Sequence, residues 1–283
     1  GTSLTEINVH SNNTNFSDVS GVLFNNDYTL LIKYPEDKPD SSYTIPSSVT
    51  TIGVEAFKSA TNLMTVSFED ISNSNLEKID YGAFWGATEL TSITIPKSVT
   101  EIYDSAFGQT TNLTEVIFDD ISNSQLTHIY GASGSGYNDY GDDVWFTGAF
   151  ANSGLTSITI PASVQTIGRN TFRDTSLNTV TFKADSSLNT LNYGAFKGCT
   201  ALTSIIIPKS VVVASQYLFN GCTALQTVEF EEGTGLTTIN IGMFHNCTSL
   251  TTITIPANVN NIGNAAFSGC TVLTSITIPP NVT

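Results

Sequence analysis

A single phenylalanine recurs along this chain at nearly constant spacing. It stands at Phe57, Phe84, Phe107, Phe150, Phe172, Phe196, Phe219, Phe244 and Phe267. The intervals are 27, 23, 43, 22, 24, 23, 25 and 23 residues, so all but one lie near 23. A fixed period of this length marks a repeat architecture, in which no unit buries its apolar face alone and neighbours must stack. A second marker keeps the same time. The pattern Leu-x-x-[Ile/Val]-x-[Ile/Phe] begins at Leu63, Leu90, Leu113, Leu155, Leu177, Leu202, Leu225, Leu250 and Leu273. Its alternating β-branched residues, as in Ile253-Thr254-Ile255, predict a half-buried strand.

The remainder of each unit is equally regular. Pro-x-x-Val-x-x-Ile follows the strand, as at Pro256, Val259 and Ile262, and predicts a bend and a short second strand. Ala-Phe and a small residue come next, as at Ala266, Phe267 and Cys270. Phe and Cys three positions apart fit one inward-facing helical turn. The expected unit is therefore strand, bend, short strand and helical turn. No segment has the length or spacing of a full amphipathic helix. About ten such units stack into one solenoid spanning residues 1–283, with Leu on Leu, Ile on Ile and Phe on Phe.

Two unit types alternate. One strand ends in Ile-Pro (Pro46, Pro96, Pro161, Pro208, Pro256), the other in Phe (Phe68, Phe118, Phe182, Phe230). The true period is a pair of units. Proline lacks a backbone donor, so it is expected where strand pairing ends. Pro279 follows Pro256 directly and breaks the alternation, which predicts a missing cap or a shortened chain at that end. Residues 1–40 depart from the repeat. They contain a predicted strand pair, Val22–Phe24 and Thr29–Lys33, around the turn-like Asn25-Asn26-Asp27, and are expected to form a variant capping repeat.

The run Leu90 to Phe107, LTSITIPKSVTEIYDSAF, resembles the leucine-rich repeats of BspA-like bacterial surface proteins, with near copies from Leu155 and Leu250. The stretch Val19 to Pro35 resembles that family's variant first repeat. The resemblance implies a right-handed leucine-rich-repeat superhelix, exported and often surface-attached, with adhesion to host proteins or other cells as the family role. It transfers no catalytic residue, and fold alone does not fix function.

Composition narrows the partners. Charged residues make up only 12% of the chain and the net charge is −15. Ten Lys and Arg cannot form the basic stripe that a nucleic-acid surface needs. No apolar run approaches the ~18 residues of a transmembrane helix. A hydroxyl-rich acidic surface suits an extracellular or cell-surface chain, read as beginning after a removed targeting segment, although the lack of a visible signal peptide equally fits a cytosolic chain.

The exceptions to the repeat carry the candidate sites. Sixteen extra residues fall within 130–147, holding Tyr137, Asp139, Tyr140, Asp142, Asp143, Trp145 and Phe146 among glycines. A loop this long is usually functional or unstructured, and exposed aromatics carry interface energy. It reads either as a protruding contact loop or as an insertion whose Trp145 and Phe146 tuck onto the solenoid. Its carboxylates match no established calcium loop, and no metal is assigned. Cys199, Cys222, Cys247 and Cys270 follow the repeat period and occupy the slot held elsewhere by Ala60, Ala87 and Thr110. They read as buried packing thiols, although a neighbouring pair is within disulfide reach in principle.

Outward positions Ser92/Thr94, Ser157/Thr159, Thr179/Thr181, Thr252/Thr254 and Ser275/Thr277 form a hydroxyl ladder. Thr favours exposed strands, so this is ordinary strand chemistry or a flat recognition face. The acidic pairs Glu69/Asp70, Asp119/Asp120 and Glu231/Glu232 read as a solvated edge. His10, His128 and His245 lie in different units, outside any catalytic motif. The expected function is a non-enzymatic adhesion or protein-binding scaffold for a host or bacterial surface protein or glycan. No cofactor and no nucleic acid are expected. A structural spacer carrying another domain and a carbohydrate-active enzyme are the alternatives.

Overall fold

The computed structural model describes residues 3–131 and 147–283. They wind into a β-solenoid of about nine turns. Each turn has a long-strand side, a short-strand side and a side built of tight turns.

Four-residue strands line the first side. Ser42–Ile45, Thr65–Phe68, Ser92–Ile95, Glu115–Phe118, Ser157–Ile160 and Thr179–Phe182 form one parallel sheet in chain order. Ser204–Ile207 and Thr227–Phe230, with the shorter Thr252–Ile253, form a second sheet. Alternate residues point inward, so Ile93, Ile95, Ile158 and Ile160 are buried while their Ser and Thr neighbours face out.

Pairing along this side is uneven, and proline explains it. An Ile-Pro strand pairs with the Phe strand that follows it over four residues, as in Ser157↔Thr179 to Ile160↔Phe182. The amide just beyond each Phe strand then extends the ladder. Glu69, Asp119, Lys183 and Glu231 donate to the carbonyls of Ile45, Ile95, Ile160 and Ile207 at 2.8–3.0 Å. One unit later the corresponding position holds Pro96, Pro161, Pro208 or Pro256, which has no N–H to give. Register from a Phe strand to the next Ile-Pro strand accordingly shrinks to two residues, Thr65↔Ser92 and Val66↔Ile93, or to one, Glu115↔Ser157. Between Thr179–Phe182 and Ser204–Ile207 the sheet is interrupted. The structural period is the pair of units expected from the Ile-Pro and Phe alternation.

The second side carries two-residue strands from Thr51–Ile52 to Val213–Ala214 in one continuous sheet, with Thr238–Ile239 and Asn261–Ile262 as a separate pair. This sheet begins with an antiparallel meander, Phe16–Val19, Val22–Asn25 and Leu30–Lys33, whose last strand pairs parallel to Thr51–Ile52. The strand pair expected around 22–33 is present; the preceding strand at Phe16 was not expected.

The third side corrects the expected helical turn. Almost no helix exists; only Ile121–Asn123 forms a single 3-10 turn among the described residues. Around each Phe the amides alternate in direction. Glu55, Phe57 and Ser59 donate to Tyr81, Ala83 and Trp85 in the next coil, at 2.9, 2.6 and 2.8 Å. Ala56, Lys58 and Ala60 donate three residues back within their own coil. A helix would satisfy all of these amides internally. Left-handed residues two before and two after the Phe produce the alternation, as at Glu55 and Ser59 (φ 53° and 56°) or Gly82 and Gly86 (φ 58° and 70°).

The core runs unbroken along the axis. Leu63, Leu90, Leu113, Leu155, Leu177, Leu202, Leu225 and Leu250 are fully buried. The unit phenylalanines stack face to face from Phe57 to Phe267, with centroids 4.7–5.6 Å apart. That separation matches the spacing of the hydrogen-bonded strands, about 4.8 Å.

Candidate binding surfaces

The insertion residues Tyr137, Asp139, Tyr140, Asp142, Asp143, Trp145 and Phe146 lie outside the described residues. At the base of the insertion the short-strand side carries a compact polar cluster. Glu101 accepts hydrogen bonds from the hydroxyls of Tyr103 (2.8 Å) and Tyr130 (2.9 Å), and Lys78 lies 3.7 Å away. The Tyr103 and Tyr130 rings stack at 4.9 Å, and His128 stacks on Tyr130 at 5.3 Å. Partial burial alone would raise the Glu101 carboxyl, but the two hydroxyls and the nearby cations outweigh it and hold the group below its ordinary value. Tyr103 and Tyr130 are both raised, first by burial and then by the carboxylate they serve.

The long-strand side is open and outward-facing. Its hydroxyl ladder is present, with the Thr44 and Ser67 hydroxyls 2.9 Å apart on adjacent strands. Two aliphatic side chains interrupt the ladder, Ile117 (45% exposed) and Ile206 (51%). Ile206 borders two clefts where pairing lapses beside a proline. One, of about 560 Å³, lies where Phe182 faces Pro208, at the interruption of the sheet. The other, of about 630 Å³, lies where Phe230 faces Pro256. Glu231 and Glu232 line both, and Glu229 lines the second.

The acidic pairs have a local task beyond solvation. Glu69 accepts the backbone N–H and the hydroxyl of Ser47 in the preceding unit, at 3.0 and 3.1 Å, and these bonds lower its pKa. Glu231 accepts the Lys209 amide at 2.9 Å, and Asp120 lies 3.7 Å from Lys97. Each ties one coil to the coil before it.

With this repeat geometry established, the sequence can be placed among known proteins. A BspA type leucine rich repeat region, in six copies, matches residues 37–133 and 147–274. The chain belongs to this family. A leucine-rich repeat protein from Bacteroides ovatus is 25% identical, with a TM-score of 0.65 over 87% of this chain. This chain covers 57% of that protein's length. The pneumococcal vaccine antigen PcpA shares the fold at 21% identity, with a TM-score of 0.55 over 98% of this chain and 72% of its own. No functionally curated protein matches the sequence.

The cysteines of this BspA-type array are free thiols stacked along the axis. Cys199, Cys222, Cys247 and Cys270 each donate to the carbonyl of the preceding unit's Phe, at 3.1–3.2 Å. A buried Sγ–H thus finds an acceptor in a slot where Ala would make no bond.

His128 and His245 lie in separate units and do not meet one another. His245 Nδ1 pairs with Asn220 at 2.9 Å and His128 Nδ1 with Thr127 at 2.9 Å, in separate units. Among the described residues no three His, Cys, Asp or Glu side chains gather as a metal site would require. No helix there is long and apolar enough to cross a membrane. Sequence reasoning missed the clefts flanking Ile206. Their only advance signal was the proline that ends every second strand.

Proposed function

We propose that this chain is a non-enzymatic adhesion scaffold, displayed at a bacterial surface or secreted, that binds a protein partner through its long-strand side. In this reading residues 1–40 cap the array and 41–283 present the contact face. The insertion at 131–146 is read as an auxiliary contact. The observation that carries the reading is Ile206. A β-branched side chain half-exposed between two clefts, on a face made mostly of Ser and Thr, leaves apolar surface unspent. Interfaces draw most of their energy from a few such desolvated side chains ringed by polar groups. The acidic chain favours a partner with a basic patch, which also speeds encounter. Membership in the BspA-type family and the hydroxyl-rich, weakly charged composition support the surface location.

Arrays of host matrix and bacterial surface proteins test the reading, with the purified chain as probe. Ile206→Glu should lower binding of the captured partner at least tenfold while leaving the fold intact by circular dichroism. Deletion of 131–146 should have a smaller effect. Full binding by the Ile206→Glu chain would remove the long-strand side from consideration.

A further inference from the structure

A second surface of different chemistry lies at the edge of the short-strand sheet. Arg169, Asn192, Tyr193, Ser215, Gln216 and Asn240 line a cleft of about 480 Å³. They come from four consecutive coils and are brought together only by stacking. Main-chain bonds fix the steps of this ladder. Asn170 donates to the Tyr193 carbonyl at 2.9 Å, Gly194 to Gln216 at 3.1 Å and Tyr217 to Ile241 at 2.9 Å.

Three properties set this cleft apart. Among the described residues none that lines it is acidic, although the chain carries 25 Asp and Glu against 10 Lys and Arg. Its polar groups are largely unspent. The side chains of Asn192, Tyr193, Ser215 and Gln216 make no hydrogen bond among the described residues. Asn240 donates its amide to the Ala214 carbonyl at 2.7 Å, and among the described residues its side-chain oxygen accepts no bond. Arg169 has no carboxylate partner among the described residues. Its guanidinium lies over the Tyr193 ring instead, 5.0 Å from the centroid.

That last contact pre-orients the group. A guanidinium held against a ring by cation–π attraction spends no N–H donor on a carboxylate among the described residues, and those donors suit a planar oxyanion. Tyr193 in turn packs beside Tyr217, at 5.5 Å between centroids. Tyr217 holds a left-handed backbone (φ 57°), rare for a bulky residue and a conformation that persists only where the surroundings impose it. The ring fits because position 242 is glycine; a Cβ there would come within 2.5 Å of it.

We infer that this cleft binds an acidic saccharide, a sugar carrying a carboxylate or sulfate. Arg169 takes the anionic group through paired N–H donors, and Asn192, Ser215, Gln216 and Asn240 exchange hydrogen bonds with ring hydroxyls. The chemistry fits because amide side chains both donate and accept, as vicinal hydroxyls require. Among the described residues, an apolar or cationic ligand finds neither a greasy wall nor a carboxylate here. This site is independent of the protein-binding reading of the long-strand side, and either can fail alone.

Titration calorimetry on the intact chain tests it with trigalacturonate, its fully methyl-esterified form, a chondroitin sulfate tetrasaccharide and a neutral galactose trimer. Saturable binding of at least one anionic probe is expected, with at least tenfold weaker binding of the two uncharged sugars. Arg169→Gln should weaken the anionic probe at least tenfold. Arg169→Lys should restore only part of that loss, because a point charge lacks the paired geometry. Gln216→Ala should cost severalfold, and Ile206→Glu should leave this binding unchanged. Preference for trigalacturonate or for the sulfated probe identifies the anion. No binding of either at millimolar concentration, equal binding of the neutral sugars, or full binding by the Arg169→Gln chain would overturn the inference.

Discussion

The rings of Phe107 and Phe150 stack 5.1 Å apart with planes only 2° from parallel, although 43 residues separate them in sequence. The adjacent pair Phe84 and Phe107, separated by 23, stacks at the same distance. The insertion therefore leaves the core register untouched. Phe107 is fully buried with a ring on either face, so Phe107→Ala should cost about 3–5 kcal/mol, the usual range for deleting a buried ring. Phe267 has one ring neighbour and is only partly buried. Phe267→Ala should cost clearly less. Urea denaturation of the two variants measures the difference, and equal costs would contradict a core that is continuous through Phe107.

The turns around each Phe make a separate prediction about glycine. Gly86 sits at φ 70°, and an added Cβ would meet nothing closer than the Ser59 hydroxyl at 3.5 Å. Gly86→Ala should therefore cost only the left-handed penalty, about 1–2 kcal/mol. At Gly154 the added carbon would run into the Thr111 carbonyl oxygen, which belongs to the backbone and cannot swing aside. Gly154→Ala should lower the melting temperature well beyond Gly86→Ala. The reverse order would mean that the coil at Thr111 yields more readily than the hydrogen-bonded ladder implies.

These turns also mark where the sequence stopped being readable. Leu63, Phe57 and the Ile-Thr-Ile alternation give the solenoid directly, because periodic burial leaves periodic residues. The spacing of Phe267 and Cys270 suits a helical turn and consecutive tight turns equally, so spacing could not separate them. The missed signal is backbone chemistry at two positions before and after the Phe. Gly194 and Gly198 sit there, as do Asn170 and Asp174, all left-handed. Glycine, Asn and Asp tolerate that conformation better than other residues, although Glu55 and Ser59 adopt it as well. Proline placement foretold where pairing weakens. It did not foretell the full interruption between Phe182 and Ser204, since Pro96 and Pro161 stand in the same position without one. Arg169, Asn192 and Gln216 are legible only in three dimensions, because one polar residue per repeat forms no motif along the chain.

Stability should fall at both ends of the pH scale, for opposite reasons. Burial, and then the Asp40 charge, push the Tyr34 hydroxyl up to about 12 from its ordinary 10. A raised phenol favours the protonated native state. Its contribution is complete below pH ~10 and disappears as pH rises toward 12. Glu101 is lowered, so its contribution is complete above its ordinary value of 4.5 and disappears on acidification below that. Urea midpoints from pH 3 to 12 should trace this dome. Tyr34→Phe should flatten the alkaline limb. Tyr103→Phe, which removes one donor to Glu101, should flatten the acid limb. An unchanged acid limb in Tyr103→Phe would assign acid loss to other carboxylates.

The cysteine ladder predicts a graded reactivity. Burial raises the Cys222, Cys247 and Cys270 thiols, and Cys222 faces the neighbouring thiols on both sides as well. A thiol, unlike a thiolate, is a poor nucleophile, and access is closed where the side chain is fully covered. Cys199, Cys222 and Cys247 are completely buried, whereas Cys270 is only partly so. Native protein treated with a maleimide should gain one adduct, at Cys270, long before any other, and all four only after unfolding. Mass with and without reductant should be identical, because each Sγ is held toward a Phe carbonyl. A two-dalton gain on reduction would place a disulfide in the ladder. Cys222→Ala should cost little, since Ala60 and Ala87 fill the equivalent slot at full burial. Cys222→Leu should cost about 1–3 kcal/mol by overpacking a slot sized for a small side chain.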